Sequence, residues 1–389
     1  MVLKHRGVQV LLICALYLLC APYLALWFDR SLYAISLSMK DLLLWVLPIT
    51  VSFFIAHAIS FFEKKAPLFI LALFLFEAAS NSCSVWYAYV CGHIASNHVP
   101  PLDPQRLVDA FEPLWRFSLS KPSWWSPDKG SFLGVAIGLM ATLFFPSMRH
   151  SIQKGKAVAE WVLTKIFARL IPLFVLGFVA RMYRTDLLGQ TFARYADLLF
   201  WLLCFLIGYI LFLIFIGSGL SISRFIRSGK NLLPCAGVAI TSSCSLSTMP
   251  WTIEGVSKNL KNPDLAQAII PATTNIQQIG DCIANAFLCF MIYRQFHGVN
   301  PDLSLWLPFS AVFVLARFAT AAVLGGAMFI MLPIYESYLG FTPEMIGIII
   351  AFNVILDPLI TCANVVANGA LAQVFEKVWG GLLVKATAR

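Results

Sequence analysis

Six long apolar stretches occupy residues 8–28, 42–62, 67–93, 131–147, 157–181 and 195–218. Each approaches the roughly 20 apolar residues that a membrane-crossing helix needs. None shows the ten-residue alternation of a membrane β-barrel strand, so the pattern predicts a helical, polytopic chain. After residue 218 the apolar sequence is repeatedly interrupted. One broken piece runs over 232–258 around TSSCSLSTMP, Thr241 to Pro250, and another over 304–338 around Gly325 and Gly326. Broken segments in two corresponding halves point to a binding site at membrane depth. Irregular backbone survives there only under cover of protein or a water-filled cavity.

Two further polar patterns sharpen this. In AFNVILDPLITCANVVANGALA the polar residues are Asn353, Asp357, Thr361, Asn364 and Asn368. On a helix of 3.6 residues per turn they fall within about 80° of one face. Helix–helix hydrogen bonding explains amides in such a stripe; it does not explain Asp357, which inside a span asks for a polar cavity. In PATTNIQQIGDCIANAF, Thr273, Thr274, Asn275, Gln277, Gln278, Gly280 and Asp281 crowd into two or three turns. The reading is a helix interrupted locally, with a short capped loop as the alternative. Hydroxyls and backbone N–H groups at the start of a half-helix suit carboxylates, so Ser243, Ser245 and Ser247 are candidates for the same site. Pro250 is expected early in the helix that follows. The alternative for this stretch is an ordinary turn.

Composition agrees: 59% of the 389 residues are hydrophobic and 12% charged, against roughly 25% charged in soluble domains. The net charge of +9 would suggest nucleic acid in a soluble protein; here it reflects basic cytoplasmic loops. Lys4 and Arg6, Lys64 and Lys65, Arg149, Lys154 and Lys156, and Arg224, Arg227 and Lys230 fall on alternate loops, placing the N-terminus in the cytoplasm. Arg181, Arg184 and Arg194 run against that bias. The first apolar run continues to Trp27 without a small-residue cleavage site and reads as a retained helix, not a signal peptide. Residues 95–130, with Trp124 and Trp125, form the one sizeable segment outside the membrane. Ten cysteines without a CxxC pair and six dispersed histidines exclude a transition-metal cluster. No nucleophile–histidine–acid set or phosphate loop suggests an enzyme, and no cofactor is expected.

With these residues in place, the chain resembles the dicarboxylate/amino acid:cation symporter family, which includes the glutamate transporters, over about 35–380. TSSCSLSTMP is similar to that family's serine-rich hairpin tip. NVILDPLITCANVVAN is similar to its eighth-helix motif D-x-x-x-D-x-x-R-T-x-x-N-x-x-x-D. The resemblance implies an all-α membrane fold with eight transmembrane helices and two re-entrant hairpins. Residues 1–218 would be mainly scaffold and trimerisation helices, the third and sixth helices joining the transport core. Residues 219–389 would form that core from hairpin 1, helix seven, hairpin 2 and helix eight. It also implies a homotrimer in the cell membrane, moving a small solute by an elevator mechanism with sodium or protons.

Carried over residue by residue, Asp357 matches the aspartate that holds a substrate amino group, and Thr361 and Asn364 also match. Substrate contacts then fall to Ser243, Ser245, Ser247, Asp281, Asp357, Thr361 and Asn364, and cation contacts to Asn275, Gln277, Asn364 and Asn368. The departures matter more. Ile360 stands where acidic-substrate members have arginine, and isoleucine cannot pair with a carboxylate. QQIGD aligns with Asn-Met-Asp-Gly-Thr, so Ile279 replaces a cation-binding aspartate and Asp281 a threonine; Asn368 replaces a second aspartate. Leu324-Gly325-Gly326 stands where the family often has a Gly-Pro-Gly type tip. The expected function is symport of a small, non-acidic amino acid or related solute. The alternative is a cation-independent exchanger, facilitator or channel on the same fold.

Overall fold

The computed structural model describes residues 6–60, 67–99, 111–117, 122, 125, 127–184, 187–274, 276–320 and 327–387. Among these the secondary structure is entirely helical. The elements are α1 (Arg6–Cys20), α2 (Leu26–Ser60), α3 (Pro67–Ser96), α4 (Pro127–Leu143), α5 (Met148–Trp161), α6 (Ala168–Arg184), α7 (Leu187–Gly217), α8 (Ile222–Ser242), α9 (Ser245–Ser257), α10 (Leu265–Thr273), α11 (Ile279–His297), α12 (Leu303–Thr320), α13 (Ala327–Leu339) and α14 (Pro343–Thr387). A π-helical turn, Val162–Phe167, joins α5 to α6.

The helices differ from the apolar runs in two places. The first two runs are recut: α1 ends at Cys20, and α2 continues through the polar residues Asp29 to Lys40 that the hydropathy pattern leaves between spans. Asp29 lies wholly buried inside it, held by Arg184 Nε at 2.6 Å and by the Tyr17 hydroxyl at 2.7 Å. A buried charge with two good partners is tolerated mid-helix. The second difference is α5, an amphipathic helix over MRHSIQKGKAVAEW where the sequence reads as loop.

The chain forms two compact units. Unit one contains residues 1–63, 93–198 and 288–355. Within it α2 packs on α4 and α6, and α12 on α13. Ser52 Oγ bonds both Pro48 O and Gly130 O at 2.7 Å, tying α2 to α4 where a proline interrupts the helical ladder. Trp125 Nε1 donates to Trp45 O at 2.9 Å. Arg181 bonds Tyr33 and pairs with Glu344.

Unit two contains residues 64–92, 199–287 and 356–389. Small residues let its backbones touch. A Cβ on Gly217 would lie 2.8 Å from Ala370 O, one on Gly255 2.5 Å from Asn231 O, and one on Gly369 2.6 Å from Leu232 Cδ2. Such close crossing is how helices associate where lipid, not water, surrounds them. Outward-facing Phe200, Ile207, Leu211 and Phe212 of α7 leave an apolar exterior.

Candidate functional site

The site of unit two begins with the reversal between α8 and α9. Ser243 ends α8 in the left-handed region (φ 47°, ψ 35°), its N–H bonding Ala239 O at 2.8 Å. Cys244 is extended, and Ser245 opens α9. The serine-rich stretch is therefore the tip of a helical pair, not a long loop. Pro250 falls at the sixth residue of α9 instead of its first turn, so Leu246 O loses its intrahelical donor.

The second component is the interruption between α10 and α11. Helix α10 ends at Thr273 and α11 starts at Ile279, as the crowding of polar residues predicts. A residue of α3 holds the gap: Asn81 Nδ2 donates to Ile276 O at 3.1 Å, and Gln278 N–H donates to Asn81 Oδ1 at 3.2 Å. One side-chain amide thus satisfies a donor and an acceptor that the broken helix would leave orphaned.

The third component is α14, against which the interruption packs. A Cβ on Gly280 would sit 2.6 Å from Ile360 O and 2.8 Å from Ala363 Cβ, so only glycine permits the approach. One residue on, Asn364 Nδ2 donates to Asp281 Oδ2 at 2.7 Å while Asp281 N–H donates to Asn364 Oδ1 at 3.3 Å. A turn further along α14, Thr273 Oγ1 lies 2.8 Å from Asn368 Oδ1 as donor.

Ser245, Thr252, Thr274, Asn364, Val365 and Asn368 line a narrow crevice, closed in this conformation to anything the size of a water molecule. Three of the sequence-derived residues, Ser245, Asn364 and Asn368, meet there, and Asp281 joins through Asn364. Asp357 is exposed on α14, and Thr361 is buried on the same helix without lining the crevice. Ser243 sits half-buried at the tip. Asn275 and the Ser247 side chain lie outside the described residues. Asn353 turns back on its own helix, donating to Ile349 O at 2.9 Å. Thr252 and Asn81 are not among the candidates; each is one of several polar residues in its helix, EAASNSCS for Asn81 and SLSTMPWTIE for Thr252, and ordinary helix contacts produce such polar residues too.

Hard cations bind through oxygen, and the donors here suit a sodium ion poorly. Gln277 is 1% exposed, and its amide oxygen and nitrogen find no hydrogen-bond partner among the described residues. Asn368 Oδ1 already accepts from Thr273, and Ile279, fully buried, offers no oxygen. These two amide oxygens are neutral, and the neighbouring carboxylate, Asp281, is engaged with Asn364.

These features can be set beside known proteins. An uncharacterized symporter of Haemophilus influenzae is 32% identical over 146 residues, covering 36% of this chain and 32% of that protein. The chain therefore spans about a third of the length of the curated relative it matches. The model of the sodium:dicarboxylate symporter family matches residues 130–378, from α4 through the crevice helices to the last turns of α14. With more than half of its length matched, the chain belongs to the sodium:dicarboxylate symporter family, membrane proteins that transport small solutes and are not enzymes.

Proposed function

We propose that the protein is a secondary active symporter for a small, non-acidic amino acid, driven by a cation gradient. The observation that carries this is the charge of the site: Asp281 is bonded to Asn364, which lines the crevice, Asp357 lies two turns before Asn364 on α14, and Ile360, buried between them in sequence, supplies no positive charge. A solute bearing an amino group complements carboxylates of this kind, whereas an acidic side chain is repelled by them. Ser245, Thr252 and Thr274 hydroxyls, with the Asn364 and Asn368 amides, offer both donors and acceptors for the remaining polar groups.

The reading extends to the whole protein as follows. The α8–α9 and α12–α13 pairs are the two re-entrant hairpins, α10–α11 is the broken seventh span, and the core moves solute by an elevator displacement. The assembly is a homotrimer in the cell membrane with a cytoplasmic N-terminus. A second reading, a facilitator or exchanger indifferent to cations, draws support from Ile279 and from the engagement of Asn368 with Thr273.

The test is a thermal-shift screen of purified protein with neutral, cationic and acidic amino acids and with dicarboxylates, followed by uptake into liposomes. Ligands of the folded state raise its melting temperature. Neutral or cationic amino acids are expected to stabilise and to be accumulated. Saturable, high-affinity uptake of aspartate overturns the substrate reading. Counterflow that ignores imposed sodium and proton gradients favours the facilitator.

A further inference from the structure

Helix α3 carries a carboxyl that the solute site does not use. Glu77 is 2% exposed. Its one side-chain partner among the described residues is the hydroxyl of Ser80, at 3.5 Å, which also leans on Glu77 O at 3.1 Å. Among the described residues of unit two, no cation is bonded to it. α7 carries no charged residue from 199 to 217. On α11, Asp281 is engaged with Asn364. On α14, Glu376 accepts from the N–H groups of Lys261 and Asn262, and Lys377 donates to Ile216 O and Gly217 O. α8 carries Arg224, Arg227 and Lys230, and on α9 Glu254 is paired with Lys258.

A carboxylate buried in a membrane helix without a counter-ion is too costly to persist, so the group is either neutral or functional in exchanging its charge. Position favours exchange. Glu77 lies one turn before Asn81 and on the same side of α3, and Asn81 is the residue that braces the α10–α11 interruption. That interruption begins at Thr274, which lines the crevice.

We propose that Glu77 is the proton-carrying group of this protein. In the closed conformation described here it is a neutral carboxylic acid. When the interruption loosens from Asn81 and water reaches α3, the acid gives its proton to water and becomes a carboxylate; it takes a proton back before the site recloses. Solute occupancy and protonation are linked because both act on the segment between Thr274 and Gln278. This inference rests on the reading of the protein as a secondary transporter.

Two measurements on the full chain test it. Infrared spectroscopy of purified wild type and Glu77→Gln, a neutral isostere, needs no knowledge of the solute. A protonated-carboxyl band present in wild type and missing from the variant is expected; identical spectra overturn the proposal. In liposomes, with an amino acid identified by the screen, wild type is expected to accumulate solute under an imposed pH gradient. Glu77→Gln, normalised to its own exchange rate, is expected to fall to the level seen without a gradient. Equal gradient-driven accumulation by both overturns the role of Glu77. Exchange by wild type that responds to sodium and not to pH overturns proton coupling while leaving the transporter reading intact. The absence of any solute movement by wild type overturns that reading instead. Glu77→Ala, with a melting curve for each variant, separates loss of the proton site from loss of the fold.

Discussion

At the scale of single residues, the Asp281–Asn364 pair is the most consequential contact, because it joins the first turn of α11 to α14 beside the crevice. A hydrogen bond to a charged group contributes about 1.5–3 kcal/mol. Asp281→Asn is therefore expected to weaken binding of an amino-bearing solute roughly ten- to hundredfold, read as a rightward shift of the thermal-shift titration. Gly280→Ala should act by crowding α14 at Ile360 O, Ala363 and Asn364 Oδ1, with no change of charge. Its methyl meets backbone and Ala363, and overpacking of that kind costs about 1–3 kcal/mol; the check is a lower melting temperature together with weaker solute binding. Asp281, Asn364 and Asn368 were legible in the sequence because charge and amides recur at helical spacing in an apolar run. Asn81 and Thr252 were much less so. Asn81 acts on backbone 195 residues away, and nothing local distinguishes a bracing amide from one that joins two helices in lipid.

At the scale of elements, the interruptions were more readable than the continuities. Serine, threonine and proline density locates both the α8–α9 tip and the α10–α11 gap, since those residues favour caps and turns over helix interiors. Hydropathy cannot say that α2 runs unbroken through Asp29, because the partners that make this tolerable, Tyr17 and Arg184, are supplied by other elements. It also misses α5, whose amphipathic pattern averages to a polar segment. The tip offers a test. Ser243 holds a left-handed conformation that costs a side chain about 1–2 kcal/mol. Ser243→Gly is expected to raise the melting temperature slightly and Ser243→Val to lower it by more, because β-branching makes a positive φ worse. Equal melting temperatures for the two variants would show that the tip does not keep this geometry in solution.

At the scale of the whole molecule, unit one depends on a few buried ionic contacts, and Asp29 is the one with most at stake. Breaking a buried pair by removing one member costs roughly 3–5 kcal/mol. Asp29→Ala, which strips both Arg184 and Tyr17 of a partner, is expected to reduce folded protein in the membrane severely, measured by detergent-solubilised yield and melting temperature. Asn at the same position keeps an acceptor for Tyr17 and should lose less. Unit two is held differently, by the close backbone approaches at Gly217, Gly255 and Gly280 and the tight side-chain packing on Gly369. Contacts of that kind gain dispersion energy between atoms and do not draw on the release of ordered water. The large heat-capacity change that bends the stability curves of soluble proteins comes from hydrating apolar surface, and helices parting within lipid hydrate little of it. The core of unit two should accordingly weaken almost in proportion to temperature, with no loss of strength on cooling.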